Sequence, residues 1–150
     1  MDGLDFGIAL GLAYQTFTDE LRETLARQGF EDLGRWYGYV FRALDAEEIR
    51  LTTLAARLGM SNQGAAKIVD EMAARGYLAR ETDPQDGRGK VLRLTVRGRR
   101  ALATARRFHA EFERRLKRRL GAPAVENLRG ALADILHAAG GGPTTTLRPG

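Results

Sequence analysis

The chain has 150 residues, of which 43% are hydrophobic and 29% charged, a composition typical of one soluble domain with a sizeable core. It contains no cysteine, which excludes thiol catalysis, disulfide bonds, cysteine-ligated zinc and thiol-based redox sensing. No apolar run approaches the ~20 residues of a membrane span, and the first residues are acidic rather than those of a basic leader, so a cytoplasmic protein with no membrane partner is expected.

The net charge of +5 is unevenly distributed along the chain. Residues 1–49 carry 4 basic and 10 acidic side chains, residues 50–120 carry 18 and 7, and residues 121–150 carry 2 of each. A positive block inside a folded domain favours a polyanion such as nucleic acid, because neutralising phosphates releases their counterions. The alternative is a solubility surface, and charge alone does not decide between them.

Two helices are predicted in the N-terminal third. From Phe6 to Arg27 apolar residues recur every three or four positions, and Gly29 ends this helix. A second helix is predicted over about Leu33 to Leu44, where aromatic residues on two faces indicate burial on both sides.

A helix-turn-helix followed by a hairpin is predicted next. Thr52 is expected to cap a short helix that ends at Gly59, and Ser61 to cap a second one. Residues 77–81 and 91–95 then read as two strands around a tip that contains proline, glycine and charged residues. A hairpin directly after the second helix is the winged form of the motif.

Two further helices are predicted after the hairpin. Thr95 is expected to cap a long helix from Val96 to Leu120, and a last helix is expected over Ala124 to Ala139. The remaining residues 140–150 contain glycine, proline and threonine but no core residues, which predicts a disordered tail.

A specific pattern runs through the central segment. It consists of Leu51-Thr52-x-Leu54-Ala55-x-x-Leu58, Ser61 with Lys67-Ile68-Val69-Asp70-x-Met72, Arg75-Gly76-Tyr77-Leu78-x-Arg80, and Asp83-Pro84-x-Asp86-Gly87-Arg88 followed by Leu92-x-Leu94-Thr95-x-x-Gly98. The pattern resembles the MarR family of bacterial transcription regulators, and the hairpin string is its most specific part.

The resemblance implies a mainly α fold: a winged helix-turn-helix with a two-stranded β-hairpin wing, flanked by N- and C-terminal dimerisation helices. It implies a homodimeric regulator, most often a repressor, that places one winged domain on each half of a palindromic operator in double-stranded DNA. In many members a small aromatic effector binds between the dimerisation and DNA-binding regions and releases the DNA. The implied divisions are 1–48 for the N-terminal helices, 49–98 for the DNA-binding domain, 99–139 for the C-terminal dimerisation helices and 140–150 for the tail.

The second helix of such a motif enters the major groove, where base edges present a readable code. Its outward face carries Asn62, Gln63, Ala66, Lys67 and Asp70. Asn62 and Gln63 are suited to adenine, and Lys67 to guanine or phosphate. Ser61 is placed to hold a phosphate at the helix N-terminus. An ordinary solvated helix face is the alternative interpretation.

This helix departs from the family pattern at its start. Gly64 and Ala66 stand where hydroxyl residues are common, so contact with a thymine methyl or readout of DNA shape would carry more of the specificity. The departure also motivates an alternative function, a winged-helix protein-interaction module that uses its acidic N-terminal portion and binds DNA weakly and non-specifically.

In the wing, Arg88 matches the family position whose guanidinium enters the minor groove. Lys90 is a second candidate for DNA contact, and Asp83 or Asp86 is expected to orient Arg88 through a carboxylate fork. The alternative is a flexible basic loop without a fixed contact.

Aromatic residues near the N-terminus suggest either a core or an effector pocket, for which Trp36, Tyr39 and His109 are the candidates. Two histidines far apart, His109 and His137, have no acidic partner at ligand spacing. No catalytic residue, metal site or cofactor is therefore predicted, and an enzyme ranks third among the functions.

Overall fold

The computed structural model describes residues 3–31 and 33–138. Over these residues the chain forms six α-helices and two β-strands. In chain order they are α1 (Phe6–Arg27), α2 (Tyr37–Ala46), α3 (Leu51–Leu58), α4 (Asn62–Ala74), β1 (Leu78–Thr82), β2 (Lys90–Leu94), α5 (Val96–Leu120) and α6 (Ala122–Ala138). The mainly helical architecture with a two-stranded hairpin is confirmed, whereas the tail predicted for residues 140–150 lies outside the described residues.

Helix α1 begins and ends at the residues that its apolar periodicity predicts. Just beyond its end, Gly29 has a φ of 84°, a conformation that favours glycine. Only the C-terminal half of α1 packs within the chain, where the Phe17 ring lies 5.4 Å from that of Phe108 and 4.9 Å from that of Phe112. The first turns are exposed, and the side chain of Phe6 is 74% accessible.

Helix α3, the first helix of the helix-turn-helix, begins before the predicted cap. Thr52 lies inside the helix, so the prediction that it caps α3 was wrong. Arg50 occupies the N-cap position with an extended backbone and makes no side-chain cap. The extended conformation arises because the preceding residue, Ile49, bridges to Leu92 in β2 and accepts its N–H at 2.8 Å.

Helix α4 follows a turn in which Gly59 adopts the left-handed conformation, with a φ of 65°. Ser61 caps α4 as predicted, since its Oγ accepts the Gly64 N–H at 3.1 Å. The inner face of α4 is fully buried at Ala65, Val69 and Met72.

The hairpin wing is formed by β1 and β2, which pair antiparallel. Each strand is displaced by one residue from its predicted position. Tyr77 belongs instead to the turn that closes α4, because its N–H bonds to the Met72 carbonyl oxygen at 2.9 Å. Thr95 belongs to the cap of α5, as predicted, because its Oγ1 accepts the Gly98 N–H at 3.0 Å.

The hydrophobic core lies where α2, the helix-turn-helix, the hairpin and the first turns of α5 meet. Three aromatic rings contact each other edge-on within it, those of Tyr37, Phe41 and Tyr77, at centroid separations of 5.6 to 6.4 Å. The largest fully buried side chains are those of Tyr37, Tyr77, Leu54, Leu58, Met72, Leu92, Leu102, Val40 and Val69. This core ties the helix-turn-helix and the wing to the long helix α5.

Candidate nucleic-acid interface

The face of α4 that the sequence predicts to read DNA is turned to solvent. Ser61, Asn62, Gln63 and Lys67 are exposed, and Ala66 is half-buried. The Ser61 oxygen is occupied as an acceptor by the helix cap, but its O–H proton remains able to donate to a phosphate oxygen. The face therefore offers two amides, a hydroxyl donor and an ammonium group beside the positive end of the helix dipole.

A carboxylate on the same helix is neutralised by the wing. Asp70 accepts a hydrogen bond from Arg80 in β1 at 2.7 Å. The pair links α4 to the hairpin and reduces the repulsion that an isolated Asp70 would exert on nearby phosphate groups.

The wing tip spans residues 83–89 and carries Arg88 in an exposed position. The backbone N–H of Arg88 donates to Asp86 Oδ1 at 3.2 Å, while no other described residue holds its guanidinium group. Lys90, also exposed, donates from Nζ to the Thr82 hydroxyl oxygen at 3.2 Å. Of these two cations, the Arg88 guanidinium has all its donors available for DNA.

The two wing carboxylates bind a residue that the sequence analysis missed. Rather than forking Arg88, Asp83 and Asp86 both bind Nη2 of Arg50, at 2.9 and 3.3 Å. A backbone hydrogen bond from Gln85 and the contact with Arg50 hold the pKa of Asp83 below its ordinary value. Arg50 lies 33 residues before Asp83, and no local spacing signals such a pair.

A cavity of about 510 Å³ lies between α1, α2 and α5. Of the three candidate pocket residues, Tyr39 and His109 line it, whereas Trp36 does not and packs against Tyr39 at 5.7 Å between ring centroids. Most of the wall is apolar or aromatic, with contributions from Tyr14, Phe17, Leu21, Leu25, Leu33, Tyr37, Phe41, Ala101 and Ala105. Its size and composition suit a small aromatic molecule.

Three arginines line the cavity, of which Arg22 and Arg35 are exposed and Arg42 is half-buried. Nη1 of Arg42 donates to the Gly38 carbonyl oxygen at 3.1 Å, and among the described residues no carboxylate forms an ion pair with it. Burial, with a contribution from Arg106, lowers the pKa of Arg42. Burial and the nearby Arg42 charge likewise lower the pKa of His109, which favours its neutral form. No sequence pattern distinguishes Arg42, because it is an isolated arginine on an aromatic helix.

One side chain connects the cavity wall to the DNA-reading helix. Tyr37 lines the cavity with its ring, and its hydroxyl oxygen accepts a hydrogen bond from Arg75 Nη1 at 2.5 Å. Arg75 is the C-cap residue of α4. The Tyr37 side chain therefore links the cavity wall to the end of α4.

Features of two other functional classes are absent from the described part of the chain. No helix within residues 3–31 and 33–138 is both long enough and apolar enough to cross a membrane. Nor do three or more His, Asp or Glu side chains in these ranges form a group that would hold a metal ion.

The fold and this surface define a winged helix-turn-helix protein with an exposed recognition helix and a cationic wing. A model of the MarR family matches residues 31–89. The structure is similar to that of CouR, a transcriptional repressor solved in complex with a 23-mer DNA duplex, with a TM-score of 0.68, 30% sequence identity and coverage of 87% of this chain and 92% of CouR. The chain therefore belongs to the MarR family of DNA-binding transcriptional regulators.

More distant structures show the same fold. The reduced form of MarR from E. coli is 20% identical, with a TM-score of 0.67 and coverage of 91% of this chain and 99% of that one. A MarR-family transcriptional regulator from Rhodococcus sp. RHA1 is 24% identical, with a TM-score of 0.64 and coverage of 90% and 97%. No curated protein sequence matches the chain.

Proposed function

We propose that the protein is a sequence-specific transcriptional repressor that binds a palindromic operator as a homodimer. The observation that carries this proposal is the exposed polar and basic face of α4 together with a wing whose Arg88 guanidinium is free to contact DNA. The excess of positive charge over residues 50–120, and the DNA-bound repressor CouR as a relative, support it.

Each element has a role in this proposal. Helix α4 enters the major groove, where Gln63 and Asn62 contact base edges and Lys67 contacts guanine or phosphate. Ser61 donates to a phosphate at the helix N-terminus. Arg88 enters the adjacent minor groove, where a narrow A·T tract concentrates negative potential.

The proposal is tested by selecting duplexes from a random pool and measuring affinity for the selected site across salt concentrations. We expect a palindromic site and a steep loss of affinity with salt. Arg88→Ala is expected to cost about 1–3 kcal/mol of binding free energy, and Gln63→Ala to relax the preference at one base position. Arg114→Ala removes the same charge from α5, outside the proposed interface, and is expected to have little effect.

Failure to enrich any palindrome would contradict this function. If the protein then associated with a protein partner in a salt-insensitive manner and bound DNA only weakly, the winged domain would be an interaction module instead.

We further propose that a small aromatic effector with an acidic group occupies the cavity and releases the DNA. The aromatic wall suits the ring, and the half-buried Arg42 supplies a cation that has no carboxylate partner in the described part of the chain. Through Tyr37 and Arg75, the occupied cavity would shift the end of α4.

Benzoate and benzyl alcohol are suitable probes, because they share the ring and differ in charge. At concentrations on the order of millimolar, we expect benzoate to weaken the complex with the selected duplex more than benzyl alcohol does. Arg42→Met is expected to abolish this difference, whereas Arg107→Met, outside the cavity lining, keeps it. Equal responses to both probes in the wild-type protein would exclude an acidic effector that uses Arg42.

A further inference from the structure

The wing tip is closed around a side chain that belongs neither to the wing nor to the recognition helix. Arg50 is the N-cap residue of α3, and its extended backbone follows Ile49, which bridges to β2. The backbone position of Arg50 is thus set by the sheet, which directs its long side chain to the hairpin tip.

The two carboxylates of the tip both bind the Arg50 guanidinium. It bridges the carboxylates of Asp83 and Asp86, which lie three residues apart in the loop. The same two side chains also accept backbone N–H groups of the tip through their Oδ1 atoms, from Gln85 at 2.9 Å and from Arg88 at 3.2 Å. Each carboxylate therefore joins Arg50 to the backbone of the loop.

The backbone of Gly89 lies beside the Arg50 guanidinium. A Cβ atom added at this position would overlap the Arg50 guanidinium, so the absence of a side chain lets the guanidinium lie against the loop backbone. The backbone there is further closed by two hydrogen bonds, from the Asp83 N–H to the Gly89 oxygen at 2.9 Å and from the Gly89 N–H to the Asp86 oxygen at 3.1 Å. A Cβ atom added at Gly87, two residues earlier, would meet no other atom within 4 Å.

The charge at the tip depends on this contact. Without Arg50, two carboxylates would stand beside Arg88 and repel the phosphate backbone. Arg50 offsets one of these two negative charges, which lowers the repulsion that phosphates meet beside Arg88, and the contact with Asp83 and Asp86 raises the pKa of Arg50 itself.

We infer that Arg50 is the positioning residue of the wing: it holds the tip in one conformation and offsets one of its two carboxylate charges so that Arg88 is presented to DNA. The ordering of the tip is a property of the free protein, and only the effect on DNA affinity rests on the proposed function. Arg50 acts here through Arg88, without a DNA contact of its own.

The ordering is tested first, without DNA, by ¹⁵N relaxation of the backbone amides of residues 83–89 in the full-length protein. We expect order parameters near those of rigid backbone, about 0.85, in the wild type and below about 0.6 in Arg50→Ala. Gly89→Ala, which displaces the guanidinium but keeps its charge, is expected to loosen the tip as well, whereas Gly87→Ala leaves it ordered. Order parameters in Arg50→Ala that match those of the wild type would overturn the inference. Equal order parameters in Gly89→Ala and Gly87→Ala would overturn it as well.

The consequence for DNA is measured with the duplex that the wild-type protein selects from a random pool. We expect Arg50→Ala to bind it about tenfold more weakly, and Arg50→Lys to recover part of the loss, because an ammonium group cannot bridge both carboxylates in the same way. Arg106→Ala is the matched control, since Arg106 also pairs with an aspartate, at 2.9 Å, and its side chain is 53% exposed against 42% for Arg50. A similar loss in Arg106→Ala would attribute the effect to net charge and overturn the inference.

A triple variant separates positioning from charge. Arg50→Ala combined with Asp83→Asn and Asp86→Asn removes the repulsion but also the bridge, while each Asn oxygen can still accept its backbone N–H. We expect a mobile tip and affinity between those of Arg50→Ala and the wild type. Wild-type affinity in a triple variant whose tip is mobile would show that only charge matters. A loss of DNA affinity in Arg50→Ala while its tip stays ordered would indicate that Arg50 contacts DNA directly. Either outcome would overturn the positioning role. If the wild type selects no duplex, the proposed function fails while the relaxation data still decide whether Arg50 orders the tip.

Discussion

Among the glycines of the described residues, Gly98 has the least room for a Cβ atom. It lies in the first turn of α5, where a Cβ atom would overlap the carbonyl oxygen of Tyr77. That carbonyl cannot move away easily, because it accepts the Thr95 N–H at 3.1 Å and belongs to the fully buried Tyr77. The glycine therefore permits the close approach of α5 to the base of the wing.

Gly98→Ala is accordingly expected to lower the free energy of unfolding by about 1–3 kcal/mol, because the helix and the strand must separate. The matched control is Gly130→Ala in α6, where a Cβ meets nothing within 4 Å. There the higher helix propensity of alanine is expected to raise stability by about 0.5–1 kcal/mol. Urea denaturation of both variants at one protein concentration measures the difference in their free energies of unfolding. Equal free energies would contradict the close approach of α5 to the Tyr77 carbonyl oxygen.

Among the residue-level predictions from sequence, two of the three helix caps are confirmed, whereas the cap by Thr52 was wrong. The caps by Ser61 and Thr95 were predictable, because the acceptor and the N–H that it binds are three residues apart. The role of Arg50 was not predictable in this way, since its partners are 33 and 36 residues distant. For the same reason Arg42 became a candidate only when the fold placed α1 and α5 across from it.

At the scale of helices and strands, periodic patterns predicted the type of each element more accurately than the residues at which it begins and ends. Helices α1 and α5 have the predicted bounds because long apolar stripes end at glycine. The strands and α3 are displaced because their ends depend on tertiary hydrogen bonds, such as the bridge between Ile49 and Leu92. The apolar stripe of α1 was predicted correctly as a helix face, yet its first turns pack against nothing in the described chain.

The connection between elements depends on Arg97, at the start of α5. Its guanidinium lies over the rings of Phe30 and Tyr77, at 5.3 and 4.8 Å from the centroids. It also donates to the carbonyl oxygens of Gly29 at 3.1 Å and Arg75 at 3.2 Å. One side chain thereby joins the end of α1, the end of α4 and the base of the wing. Any movement of the recognition helix relative to the N-terminal helices must therefore change these contacts.

At the scale of the whole molecule, two groups of exposed apolar residues stand out within residues 3–31 and 33–138. One consists of the first turns of α1, with Phe6, Ile8, Leu10, Leu12 and Tyr14 each more than 40% exposed. The other is one face of α6, formed by Leu128, Leu132, Ile135 and Leu136 around the buried Val125. An exposed apolar helix face such as that of α6 is typical of a protein interface, and the palindromic operator proposed above requires two copies of the winged domain.

We therefore expect a dimer in sedimentation velocity at micromolar concentration, and a monomer when Leu132→Glu places a carboxylate in the apolar face of α6. Asn127→Glu adds the same charge on the opposite, exposed face of the helix and is expected to remain dimeric. Because two half-sites bound by linked domains reinforce each other, Leu132→Glu is also expected to lose affinity for the palindrome by at least about 100-fold while keeping weak binding to a single half-site. A monomeric wild-type protein, or a dimer that survives Leu132→Glu unchanged, would contradict this interface.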